Sequence, residues 1–178
     1  MANTLKIDFK FRLFLTLIFT FIIWSHIGWD YHNGGVPVHY LFQSDEMPGI
    51  SNFWGAILFP FFSFYLLSRI QKRIDESAIE NLKKVGLRFL ISLCCSGAIS
   101  FFFLNNVDVI DYIMVAILLL AFIFPLYKSE YLLGWVVGSM FTFGAVIPMV
   151  FGSILTLLFF GFYQLKKLVV GLFRYKNV

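Results

Sequence analysis

The stretch YLLGWVVGSMFTFGAVIPMVFGSILTLLFFGFYQ, residues 131–164, decides how many times this chain crosses a membrane. It contains 34 residues and no charged side chain. A single helix of this length would be about 51 Å long, whereas the hydrocarbon core of a bilayer is about 30 Å thick. The segment GAVIP at 144–148 places glycine and proline, the strongest interrupters of helices, near the middle. We therefore predict two short helices joined by a tight apolar turn.

The composition of the whole chain indicates an integral membrane protein. Of its 178 residues, 60% are hydrophobic and 13% are charged, whereas charged residues make up roughly 25% of ordinary soluble domains. Because no stretch of mixed polarity is long enough to fold as a soluble domain, residues 1–178 are predicted to form a single polytopic membrane domain. The lipid bilayer is therefore the main predicted partner, and so little soluble surface argues against nucleic acid as a partner.

Applying the same length criterion along the chain predicts an all-α fold with six transmembrane helices. Their approximate bounds are 10–29, 52–70, 87–104, 108–127, 131–145 and 147–165. The first helix follows basic residues, as a signal sequence does, but no small-residue cleavage site follows it, so it is predicted to be retained. The side chains of Asn105, Asn106 and Asp108 are predicted to cap the fourth helix.

The distribution of basic residues agrees with six spans. If the N-terminus lies in the cytoplasm, the four cytoplasmic segments hold three, six, one and four lysines and arginines, which are all 14 in the chain. This segregation is what the positive-inside rule requires. A single long fifth helix would place the basic C-terminal segment outside. We therefore predict that both termini are cytoplasmic, that three helical hairpins point outward, and that the location is a bacterial inner (plasma) membrane.

The predicted outer side is acidic and has no lysine or arginine. It carries all three histidines of the chain and five carboxylates, namely Asp30, Asp45, Glu46, Asp108 and Asp111. Recognition of phosphate or carboxylate groups usually requires arginine or lysine, so anionic ligands are disfavoured on this side and cations are favoured. Selection for positive charge on the inside would by itself also empty the outer side of basic residues.

The histidines lie together in WSHIGWDYHNGGVPVHYLF, Trp24–Phe42. His26 and Asp30 are spaced i, i+4 and would share one face at the end of the first helix. His32 would follow just past the helix end, and His39 would return after the Gly-Gly turn. Three imidazoles and one carboxylate could complete a site for Zn²⁺ or another divalent cation. Alternatives are a proton-binding role and ordinary polar residues at the aromatic membrane interface.

Two functions are predicted from this arrangement. The first is a small membrane protein whose outer site binds a cation or metal, for transport, for structure, or as a subunit of a membrane complex. The second is a zinc-dependent membrane hydrolase that acts on a neutral lipid-like amide or ester at the outer leaflet. In that alternative Asp30 or Asp111 would serve as general base, and Asp111 would reach the site from the fourth helix.

A small-residue motif predicts close helix packing in the fifth span. Gly134 and Gly138 form G-x-x-x-G, which lets two helix backbones approach closely. Such a contact would join two helices of one chain or two copies of the chain. A second copy or another membrane subunit is therefore also a candidate partner.

Overall fold

The computed structural model of the protein describes residues 8–40, 44, 46–76 and 82–175. Asp45, one of the five carboxylates assigned to the outer side, lies outside the described residues. Within them the chain forms six helices and two short strands, and in order these are α1 (Phe9–His32), β1 (Val38–Tyr40), β2 (Gly49–Ser51), α2 (Asn52–Glu76), α3 (Leu82–Leu104), α4 (Ile110–Ile123), α5 (Ser129–Phe143) and α6 (Val146–Tyr175).

The prediction of a helical, membrane-compatible fold is confirmed. Four helices are long and apolar enough to cross a membrane, namely α1, α2, α3 and the part of α6 from Val146 to Val170. Large apolar side chains on these helices are exposed, with Phe21, Phe61 and Leu157 each more than 70% accessible. Exposed apolar surface on this scale is compatible with contact to a lipid bilayer. Helix α4 is apolar but contains only 14 residues, and α5 contains 15.

The predicted break in the long apolar stretch is present. Gly144 has φ +69°, in the region that favours glycine, and α6 begins two residues later at Val146. Pro148 stands in the first turn of α6, where its missing N–H breaks no helical hydrogen bond. The turn therefore separates α5 from α6 as the sequence predicts.

The fourth helix differs from its prediction at both ends. It ends at Ile123 because Phe124, which precedes Pro125, is extended with ψ 147°. At its start Val109 occupies the N-cap position with no side-chain hydrogen bond, so the predicted capping by Asn105, Asn106 and Asp108 is wrong. These asparagines instead complete α3: the Asn105 amide donates to the carbonyl oxygen of Phe101 at 2.7 Å, and Asn106 has a left-handed φ of +53°.

A small antiparallel hairpin between α1 and α2 was not predicted. Strands β1 and β2 pair so that His39 lies opposite Ile50. The backbone N–H of Asn52 donates to the carbonyl oxygen of Pro37 at 3.0 Å, which ties the start of α2 to the chain before β1. Strands of three residues are too short to show an alternating pattern in the sequence.

Helix α5 is the centre of the bundle and runs parallel to α3. A methyl group added at Gly134 would overlap the carbonyl oxygen of Phe89, and one added at Gly138 would overlap the side chain of Ser96. These glycines therefore let the two backbones touch, which confirms the predicted close packing as a contact within the chain.

Three serines spaced four residues apart on α3 extend this contact. Their hydroxyl groups donate to carbonyl oxygens of α5, at 2.6 Å from Ser92 to Tyr131, 3.3 Å from Ser96 to Gly134 and 3.5 Å from Ser100 to Gly138. Because apolar burial gives little drive for association inside a bilayer, such hydrogen bonds and close packing hold membrane helices together.

The helix ends form two groups that we name the basic end and the histidine end. The basic end comprises Arg12, Arg73, Arg88, Glu130 and Lys166 with their neighbours. It is held together by the Arg12–Ser68 hydrogen bond, the ion pairs of Glu130, and the contact of Lys166 Nζ with the Ile123 carbonyl oxygen at 3.5 Å. Successive helices run between the two ends in alternate directions.

Candidate functional site

The histidine end brings together the end of α1, strand β1, the start of α2 and the α5–α6 turn. Its polar residues are His26 and Asp30 of α1, His39 of β1, and Asn52, the first residue of α2. The predicted pair on α1 is formed: His26 Nδ1 lies 3.1 Å from Asp30 Oδ2, and the two side chains are 24% and 16% exposed. The ring of His26 also packs on Phe141 of α5, with 5.0 Å between ring centroids.

Strand β1 places His39 against the α5–α6 turn. A Cβ built on Gly144 would lie 2.9 Å from His39 Cδ2, 3.3 Å from His39 Nε2 and 2.7 Å from Asn52 Oδ1. Any side chain at Gly144 would therefore fill the space in which His39 and Asn52 meet. Glycine is needed here both for its positive φ and for this close approach.

Three buried polar atoms at this end have no hydrogen-bond partner among the described residues: Asp30 Oδ2, His39 Nε2 and Asn52 Oδ1. His26 Nδ1 and Asp30 Oδ2 are close enough for an ion pair, but they are not aligned for a hydrogen bond. Carboxylate and amide oxygens are acceptors, and His39 Nε2 is an acceptor in the tautomer with its proton on Nδ1. The site therefore presents acceptors that lack a donor.

The electrostatic environment favours neutral His39. Burial lowers the pKa of His39 below its ordinary value of 6.5; the negative charge of Asp30 opposes this shift and His26 adds to it. A neutral imidazole keeps a lone pair on one ring nitrogen, as a hydrogen-bond acceptor or metal ligand must. Neutral His39 can therefore accept a hydrogen bond, or bind a cation, through that nitrogen.

Two predicted site residues lie apart from this group. His32 is the last residue of α1 rather than past its end, and its exposed ring packs on Tyr31 with centroids 5.6 Å apart. Asp111 is exposed in the first turn of α4, and no hydrogen bond or ion pair joins it to the described residues of the histidine end.

The complete predicted zinc set is therefore not assembled. Within the part of the chain that the structure describes, no group of three histidine, cysteine, aspartate or glutamate side chains is placed to hold a metal ion. The hydrolase alternative stays a prediction without support from this arrangement. The structure instead adds Asn52, the first residue of α2, which was not among the predicted site residues.

A second ionic group, which sequence reasoning missed, lies at the basic end. Glu130, in the first turn of α5, has no exposed surface, and its carboxylate accepts hydrogen bonds from Arg73 of α2 and, at 3.1 Å, from Arg88 of α3. The signal in the sequence was a single carboxylate directly before the long uncharged stretch. In the sequence, the arginines indicate only which side of the membrane is cytoplasmic.

This ionic group joins three helices. A buried carboxylate is stable only when it is paired and hydrogen-bonded, and both of its oxygens are engaged here. With its acceptor sites directed at two arginines, Glu130 is suited to hold α2, α3 and α5 together rather than to carry out chemistry.

Comparisons with known protein families, with curated proteins and with solved structures give no match to this chain. The chemistry of its own residues therefore carries the functional inference.

Proposed function

We propose that the protein is a six-span integral membrane protein of a bacterial inner (plasma) membrane, with both termini in the cytoplasm, that binds a cation at its outward-facing histidine end. The alternation of helix direction supports six passes, and the collection of basic side chains at one end supports this orientation. Helix α5, at about 22 Å, is shorter than the hydrocarbon core. Its mostly buried side chains are covered by protein instead of lipid.

Cation binding is supported by three buried acceptor atoms that lack a hydrogen-bond donor among the described residues, namely Asp30 Oδ2, His39 Nε2 and Asn52 Oδ1. Leaving one buried polar group unsatisfied costs about 1–3 kcal/mol, so a ligand that supplies positive charge or protons would stabilise these atoms. The described segments at this end, residues 26–40, 46–52, 104–111 and 144–148, contain no lysine or arginine. A bound cation is the natural complement to Asp30 in such surroundings.

The donor atoms indicate which cations fit. Two oxygens, from Asp30 and Asn52, and one imidazole nitrogen, from His39, suit Zn²⁺, Mn²⁺ or a similar divalent ion completed by water. His26 contacts Asp30 and would orient its carboxylate, as residues around metal ligands commonly do.

We expect the bound cation to stabilise the protein rather than to be conducted across the membrane. The central parts of α1, α2 and α3, residues 13–29, 53–68 and 89–104, contain no aspartate, glutamate, lysine or arginine, and intramembrane ionisable residues usually mark ion pathways. A cation at the histidine end would instead fasten α1, the β-hairpin, α2 and the α5–α6 turn. This favours binding at the surface, for stability or for association with another membrane subunit.

The test is cation-dependent stabilisation of the purified protein. After removal of metal, thermal unfolding is measured with Zn²⁺, Mn²⁺, Mg²⁺ and Ca²⁺ in turn, because a ligand at 100 times its Kd stabilises the folded state by about 2.7 kcal/mol. We expect at least one divalent ion to raise the unfolding temperature. Asp30→Asn, His39→Ala and Asn52→Ala should lose this effect.

His32→Ala is the matched control, because His32 comes from the same sequence cluster but lies outside the site. It should keep the full cation response. If no divalent ion stabilises the parent protein, the metal version of the proposal fails. If His32→Ala abolishes the response as completely as His39→Ala, the proposed site is wrong.

A further inference from the structure

An apolar crevice runs between α3, α4, α5 and α6. It consists of two adjoining cavities of about 130 and 250 Å³, and Trp135 of α5 lines both. The cavity of about 130 Å³ is also lined by Cys95, Leu120 and Tyr131, and it lies toward the basic end. The second reaches Ile110 and lies toward the histidine end.

The crevice exists because α4 packs loosely on the bundle. Ala121 is its one buried residue, although its basic end is fixed to α6 by stacking of Phe122 on Phe162, with 4.3 Å between ring centroids. Gly152 of α6 adds room, because a side chain there would meet Leu132 and Trp135. The gap therefore opens on the side of α4 that faces α3 and α5.

Water is a poor occupant of this space. The lining is almost entirely apolar, and apolar cavities of this kind stay dry. An empty crevice would forfeit the dispersion contacts of its walls. Because the exposed apolar faces of the neighbouring helices are suited to lipid, hydrocarbon chains are the material available to fill it.

The length of the crevice and the lysines at its basic end suit one acyl chain of a phospholipid. From Tyr131 to Phe143, α5 rises about 18 Å, close to the roughly 15 Å that one leaflet contributes to a 30 Å core. At the basic end, Lys128 precedes α5, and Lys166 of α6 contacts the last carbonyl oxygen of α4. Lysine side chains at this level suit a lipid phosphate.

We propose that this crevice binds one acyl chain of a membrane phospholipid, which enters at the basic end with its phosphate near Lys128 and Lys166. The bound chain fills the space that α4 leaves open and completes the packing around Trp135. This site is separate from the cation site and does not depend on it.

The test uses Trp135 as a reporter. Trp24, Trp29 and Trp54 are replaced by Phe, and the protein is reconstituted in phosphatidylglycerol vesicles with or without bromine atoms on the acyl chains. Bromine quenches tryptophan on contact, so Trp135 should lose most of its fluorescence. The reference for full lipid exposure is Leu119→Trp combined with Trp135→Phe, since Leu119 is 63% exposed on α4.

Adjacent cysteines provide a matched pair of variants. Cys95 lines the crevice, whereas Cys94 is exposed and does not line it. We expect Cys95→Phe to fill the space and protect Trp135 from quenching, and Cys94→Phe to leave quenching unchanged. Native mass spectrometry should find one phospholipid retained by the parent and by Cys94→Phe. Cys95→Phe and the double variant Lys128→Gln/Lys166→Gln should retain less.

The proposal is overturned if brominated chains leave Trp135 fluorescence unchanged, or if Cys94→Phe and Cys95→Phe reduce quenching equally. It is also overturned if the double lysine variant retains phospholipid as the parent does, because the phosphate would then lie elsewhere. Unfolding temperatures of both cysteine variants near that of the parent establish that each one is folded.

Discussion

Arg73, in the last turn of α2, forms an ion pair with Glu130, in the first turn of α5. Arg88 of α3 binds the second carboxylate oxygen. The arginine side chains are 25% and 20% exposed, whereas the side chain of Glu130 is fully buried. Loss of the carboxylate would therefore remove the negative charge that these two partly buried guanidinium groups share.

Glu130→Gln should strongly destabilise the protein. Breaking a buried ion pair by removal of one partner costs about 3–5 kcal/mol, and we expect a loss of this order in the free energy of unfolding in mixed micelles. Glu76→Gln is the control, because Glu76 forms an exposed pair with Lys72 at 3.8 Å, and such pairs contribute about 0–1 kcal/mol. Equal effects of the two variants would contradict the structural role of Glu130.

Gly138→Ala should separate α3 from α5. The added methyl group would overlap Ser96 and come within 3.1 Å of the Gly97 backbone nitrogen, and overpacking of this kind costs about 1–3 kcal/mol. Gly86→Ala, on α3 with nothing within 4 Å of the new methyl group, should be neutral or slightly stabilising. Thermal unfolding compares the two, and a Gly138→Ala protein as stable as Gly86→Ala would contradict the observed packing.

Acidification should destabilise the protein through His39. Its pKa is lowered in the folded state by burial, so below 6.5 the unfolded chain takes up a proton that the folded chain excludes. This contribution to stability is complete above pH 6.5 and is lost as the pH falls through the lowered pKa. His39→Gln should flatten the decline of unfolding temperature between pH 7 and pH 5, measured against the parent. His32→Gln should keep the parent's slope; if His39→Gln also keeps it, His39 is not the responsible group.

Topology can be read from single cysteines in a chain that carries Cys94→Ser and Cys95→Ser. Asn33 follows α1 at the histidine end and Glu76 ends α2 at the basic end, and both are exposed. A membrane-impermeant maleimide added to intact cells should label Asn33→Cys but not Glu76→Cys. Cell lysis should make both reactive. Protection of Asn33→Cys in intact cells would reverse the proposed orientation.

The helical architecture was largely predictable, because it depends on local composition. The break at Gly144 followed from the length of the 34-residue uncharged stretch, which exceeds a hydrocarbon core of about 30 Å as one helix, and from the glycine and proline near its middle. The i, i+4 contact of His26 with Asp30 followed from helix periodicity. Both features depend on residues that lie near one another in the sequence.

The choice among the histidines was not predictable, because it depends on long-range contacts. His39 reaches the site only because β1 pairs with β2, and Asn52 faces it only because α5 ends at Gly144 beside the start of α2. His32, although closer to His26 in sequence, points elsewhere. Likewise, the partners of Glu130 lie 57 and 42 residues before it, a distance over which no local pattern operates.

The shortness of α5 and the burial of Glu130 also bear on how the chain enters the membrane. Helix α5 is about 22 Å long and carries the charge of Glu130, which Arg73 and Arg88 neutralise. We therefore expect it to insert poorly into the membrane when it is presented alone to a translocon. We expect it to insert with α6 as a hairpin, after α2 and α3 are in place. A nascent chain that stops after Phe143 should then leave α5 accessible to protease, whereas one extended through α6 should protect it.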